Sequence, residues 1–272
     1  MTDAVIEAVL RRDRAIVPAA LFVLAGLAWA YMLWLADQMD MGGMDMSGFR
    51  MVPAGMVLMT PAITPWSAVE FAIIFAMWAV MMVGMMMPSA TPMILIYTRV
   101  ARRAAQQGKP FAASFWFASG YLFVWIGFAL VATLAQWALE RAGLLTPTMA
   151  IASGILSGVI LIAAGLYQWT PLKNACLRQC QMPLQFVQHH GGFRADPFGS
   201  LALGSRHGAY CVGCCWVLMA LLFVGSIMNV LWIATLATFV LVEKLMPAGR
   251  AVSRVAGAAF FVGGIWMFAH AL

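Results

Sequence analysis

Long apolar runs recur along the whole chain, and no other feature narrows its possible folds as far. The first, residues 16–36, is about twenty residues long, the length an α-helix needs to cross the hydrocarbon core of a bilayer. Charged residues make up only 10% of the chain, where soluble domains carry about 25%. These features imply an all-α, polytopic transmembrane helical bundle forming a single integral membrane domain over residues 1–272.

In order, the apolar segments fall at 16–36, 66–98, 112–138, 150–169, 210–228, 230–246 and 252–271. The count is about seven spans, or six if one of the last three is re-entrant. The first follows Arg11, Arg12 and Arg14 and reads as an uncleaved signal anchor, too long for a signal-peptide core. The second is long enough to require tilt, protrusion or a kink near Pro88 and Pro92. Gly154 and Gly158 have the spacing that lets membrane helices approach closely.

With the N-terminus in the cytoplasm, Arg50 and Arg141 alone among the sixteen Lys and Arg residues fall in outer loops. This asymmetry is what the positive-inside rule demands, and it implies a bacterial inner (plasma) membrane protein. The basic residues lie in short loops between apolar segments, so the net charge of +6 does not point to nucleic acid. The same topology places a Met/Asp/Gly-rich loop, 37–65, outside and a Cys/His-containing loop, 170–209, inside.

The outer loop holds Met41, Met44 and Met46 among Asp40, Asp45 and several glycines. Thioethers are soft ligands that favour Cu(I) and need no deprotonation. The alternative is a surface loop whose methionines rest on the bilayer. In the second segment Met77, Met81 and Met85 recur every four residues, and Met82 with Met86 makes a second row. Residues at that spacing share one helical face, so sulfurs are stacked there, unless methionine merely fills gaps between helices. Glu70 is an ionisable residue near the outer end of the same segment, and such residues line cavities or sit near headgroups.

The five cysteines fall in two groups, Cys176 with Cys180, and Cys211-Val-Gly-Cys214-Cys215. The first pair is spaced to aim both thiols one way along a helix. A helix beginning near Cys211 would place thiolates against its N-terminal amides. His207 is the nearest histidine in sequence, with His189 and His190 as weaker candidates. A metal site, a thiol–disulfide centre and simple packing of small apolar side chains all remain open. A metal site made of thiolates suits Cu(I), or zinc in a closed tetrahedral shell. The 22 methionines, which add little to zinc binding, favour copper, with zinc as the alternative.

Met85-Met-Met-Pro88-Ser89, Tyr167-Gln168 with Pro171, Lys173, Cys176, Cys180 and Pro183, and Gly208-Ala-Tyr-Cys211-Val-Gly-Cys214-Cys215-Trp216 resemble a bacterial family of integral membrane proteins. Members of that family are labelled as predicted metal-binding, some of them as copper chaperones. The resemblance covers most of the chain from the second segment onward and implies metal handling. The expectation is capture of copper at the outer loop, passage along Met77, Met81 and Met85, and retention at the inner cysteines. The partners it implies are the lipid bilayer and a copper chaperone or cuproenzyme. The rivals are a membrane thiol or haem oxidoreductase and an assembly subunit with structural zinc. A haem enzyme needs histidines within spans, and His270 alone stands near one in this reading. No nucleotide-binding P-loop is present in the sequence.

Overall fold

A computed structural model describes residues 2–39, 49–53, 57–61, 64–108 and 114–271. The apolar runs become helices because each must satisfy its own backbone polar groups if it is to lie in lipid. They are α1 (Thr2–Met39), α2 (Ala68–Gln106), α3 (Ser114–Arg141), α4 (Gly154–Gln168), α5 (Pro171–Gln181), α6 (Pro183–His189), α7 (Pro197–Ala220), α8 (Val230–Leu245) and α9 (Gly249–His270). Among the described residues, five helical stretches are long and apolar enough to cross a membrane. The pair α4 and α5, bent by 65° at their junction, supplies a sixth candidate. Helices stand at all seven expected positions, but α4 and α8, with 15 and 16 residues, are only about 22–24 Å long.

Two stretches differ from the sequence expectation. Part of the 37–65 segment pairs as an antiparallel hairpin, β1 (Phe49–Pro53) with β2 (Val57–Pro61). The 170–209 stretch, expected as a loop, is mostly helical. It holds α5, α6 and the first half of α7, which starts at Pro197 under an Asp196 N-cap. Cys211 therefore lies about four turns inside α7 and not at its start. The expected stabilisation of its thiolate by helix N-terminal amides is overturned, because that effect is confined to the first turn.

Helix α2 continues through Pro88 and Pro92 as a single element of about 58 Å. Pro88 has no N–H to donate to the carbonyl of Gly84. Trp29 on α1 supplies the missing donor, its indole Nε1 lying 3.3 Å from that oxygen. The helices on either side of the cysteines cross at glycines. A Cβ at Gly204 on α7 would lie 2.0 Å from the Phe117 carbonyl of α3, and one at Gly158 on α4 would lie 2.8 Å from the Gly264 carbonyl of α9. Such contacts are the van der Waals packing on which membrane helices depend. The α3–α7 crossing matters most for the site, since it brings Tyr121 against Cys211.

Candidate metal centre

Helix α2 turns its methionines inward. Met77, Met81, Met82, Met85, Met86, Met87 and Met93 are all at most 2% exposed. At the level of Met77 and Met81 a narrow apolar crevice is also lined by Met32 of α1 and Met228 from the turn before α8. Neither Met32 nor Met228 was singled out by sequence spacing, because single methionines on separate elements make no pattern. Beside this row, Trp78 donates its indole N–H to Gln136 Oε1 at 2.8 Å, and the Gln136 amide donates to Met149 Sδ at 3.2 Å.

At the Met86–Ser89 turn α2 is linked to Cys211. Tyr121 of α3 bridges the two, its hydroxyl lying 3.2 Å from the Met86 carbonyl and 3.1 Å from Cys211 Sγ. Lys244 makes a second bridge from α8. Its ammonium donates to Cys211 Sγ at 2.8 Å and to Ser89 Oγ, one residue past Pro88, at 3.2 Å. Both side chains are buried, and neither was a sequence candidate. By sequence position Lys244 belongs with the basic residues near loop ends that set orientation. Only the return of α8 towards α2 and α7 gives it another task.

The two cysteine groups meet. Cys180 stands one turn beyond Cys176 on the same face of α5. Cys176 Sγ lies so close to α7 that a Cβ on Gly213 would come within 2.9 Å of it. Glycine at 213 thus admits the Cys176 thiol to the cluster. Tyr167 of α4 fixes the same turn by donating to the Gly213 carbonyl. Cys214 and Cys215 donate their thiol protons to the Cys211 carbonyl at 3.1 and 2.9 Å, as helical cysteines do when idle. All five cysteines are free thiols, and all but Cys180 are buried.

His207, one turn before Cys211, is buried against Phe117, Tyr121 and Phe186. Its Nδ1 has no hydrogen-bond partner among the described residues. The sequence argument that His270 alone stood near a span is corrected here, since α7 carries His207 inside the bundle. His189 and His190 instead bond back to the carbonyls of Gln185 and Phe186. Glu70 closes a capping box at the start of α2. Its carboxylate accepts from Ser67 N–H at 2.6 Å, and Ser67 Oγ accepts from Glu70 N–H at 3.2 Å. Met41, Met44 and Met46 lie outside the described residues.

Chemically, the centre offers buried sulfur donors beside one fixed positive charge. Soft thiolates suit a soft ion, and the donor set fits Cu(I). Among the described residues, no three His, Cys, Asp or Glu side chains enclose a ready-made metal cage.

A family model described as PpoB2, copper chaperone, matches residues 75–267, well over half of the chain and spanning both the methionine row and the cysteines. No curated protein and no solved structure matches the chain.

Proposed function

The chain belongs to this copper chaperone family, and from that premise we propose that it binds Cu(I) as cargo within the bacterial inner membrane and passes it to an acceptor. Cu(I) is captured at Met41, Met44 and Met46, descends the α2 face through Met77, Met81 and Met85, and is held at the cysteines. Glu70 lies at the mouth of the route and helps to draw in cations. Cys211 and Cys180 are the primary pair, with Cys176, Cys214, Cys215 and His207 as exchange partners around them. In this reading the seven helical segments are seven spans and the chain is one domain. The N-terminus faces the cytoplasm, 37–65 lies outside, and 170–209 faces the cytoplasm.

What supports the reading is a buried methionine row on α2 whose Met86–Ser89 turn is linked to Cys211 through Tyr121 and Lys244. Weak neutral thioethers let an ion move, and thiolates hold it. A sequence of weak sites ending at a stronger one is the arrangement a carrier of soft ions needs.

The test is elemental analysis of protein purified under reducing conditions and loaded with copper, for wild type and for Cys211→Ser/Cys214→Ser. Wild type is expected to retain copper above background and the double variant to lose it. Equal copper in both, or none in wild type, would refute the reading. One equivalent of zinc in its place would make the centre structural. Orientation is checked in intact cells with a thiol reagent that cannot cross membranes. Because Cys176 and Cys211 are buried, the reporter is an exposed cysteine introduced by Ala195→Cys, which is expected to stay unlabelled until the cells are permeabilised.

A further inference from the structure

Residues 243 and 244 of α8 are a carboxylate and an ammonium, adjacent in sequence and both buried, yet their charges are spent in different places. The Glu243 carboxylate is neutralised by Lys173 of α5, whose Nζ lies 2.8 and 2.9 Å from its two oxygens. The Ser253 hydroxyl completes that group at 2.5 Å from Oε1. Lys244 turns the other way, onto Cys211 Sγ and Ser89 Oγ. Its position in the last turn of α8 places it against the negative end of that helix. Its positive charge is otherwise directed at sulfur.

We propose that Lys244 is a specificity-determining residue that selects a monovalent soft cation for the cysteine centre, by making the occupied site electrically neutral only for an ion of charge +1 held by two thiolates. The inference rests on the reading of the cysteines as the copper site. When Cu(I) binds, the two sulfurs bind as thiolates, any thiol proton leaves to solvent, and two sulfur–copper bonds form with no change of oxidation state. The product carries one negative charge, which the ammonium beside Cys211 balances. A divalent ion held by two thiolates is already neutral, so the same ammonium leaves a buried positive charge. Buried unbalanced charge is strongly disfavoured. Three thiolates with a divalent ion would also balance Lys244. The Cys214 and Cys215 thiols are engaged instead with the Cys211 carbonyl.

The experiment measures binding of Cu(I), Ag(I) and Zn(II), each against a competing chelator, on the full-length protein in detergent. The chains compared are wild type, Lys244→Met, Lys244→Arg and Cys211→Ser. Lys244→Met is expected to weaken Cu(I) and Ag(I) together by about tenfold or more. Its Zn(II) affinity should hold or rise, which also shows that the variant is folded. Lys244→Arg, which keeps the charge, should stay close to wild type for all three ions. Unchanged Cu(I) binding in Lys244→Met overturns the proposal. So does a parallel loss of Zn(II), or a loss in Lys244→Arg equal to that in Lys244→Met. A wild type that prefers Zn(II), and loses it in Lys244→Met, would assign the three-thiolate divalent site instead. Cys211→Ser separates the two levels. If it binds Cu(I) as wild type does, the copper site itself is elsewhere; if it loses Cu(I) while Lys244→Met does not, only the role of Lys244 fails.

Discussion

Lys173 and Lys244 are both buried lysines at one end of the bundle, and they differ in what they face. Lys173 meets a carboxylate on both oxygens, with Ser253 as a third member. That group is complete: its charges cancel, and it ties α5, α8 and α9 together. Lys244 meets a sulfur and a hydroxyl, so the anion it can pair with is a thiolate and not a carboxylate. A satisfied ion pair is a means of holding helices. An ammonium aimed at sulfur favours a thiolate, and a thiolate is a ligand for a soft ion. The comparison teaches that burial of a charge does not reveal its role, whereas the chemistry of its partner does.

The largest effect should come from breaking the complete group. Lys173→Met leaves Glu243 buried and unpaired, which costs about 3–5 kcal/mol, and thermal unfolding in detergent should show a strongly destabilised protein. Replacing both residues, Lys173→Met with Glu243→Leu, should recover most of that loss, since a buried ion pair and a well-packed apolar pair are often close in stability. By contrast Lys244→Met should affect unfolding far less than it affects copper. If the two lysines behaved alike in unfolding, the distinction drawn between them would collapse.

Next in size is Gly204→Ala. It forces α3 and α7 apart where their backbones touch, with a cost of about 1–3 kcal/mol, and it should lower copper retention because Tyr121 moves with α3. Tyr121→Phe is gentler. It removes a buried hydroxyl that bonds to Cys211 and to the Met86 carbonyl, worth about 0.5–1.5 kcal/mol, and should speed release of bound copper. The smallest effect on stability belongs to Met81→Leu, a volume-conserving swap costing less than about 1.5 kcal/mol. It should still slow copper uptake into reconstituted vesicles, because one thioether of the row is lost. Uptake at the wild-type rate would reduce the methionines to packing.

Much of the scaffold was legible in the sequence because hydropathy and helical length leave few alternatives for runs such as 112–138. The methionine face was legible too, since Met77, Met81 and Met85 repeat at the helix period and are buried together. What escaped were relations between elements. Cys211 looked like the start of a helix because the apolar run begins near residue 210. In fact Pro197 and the Asp196 cap start α7 earlier, and Gly204 and Gly208 are packing glycines inside it. Lys244 looked like a loop charge because orientation rules count basic residues and ignore what they face. Gly213 is a single glycine between cysteines, and only the arrival of α5 shows that it makes room for Cys176.

The central claim is that sulfur from Cys211 holds the copper beside Lys244. X-ray absorption at the copper edge, on Cu(I)-loaded full-length protein, addresses it most directly. The account predicts Cu(I) with about two sulfur neighbours, and a loss of that shell in Cys211→Ser. A shell dominated by nitrogen or oxygen, or a sulfur shell unchanged by Cys211→Ser, would contradict it.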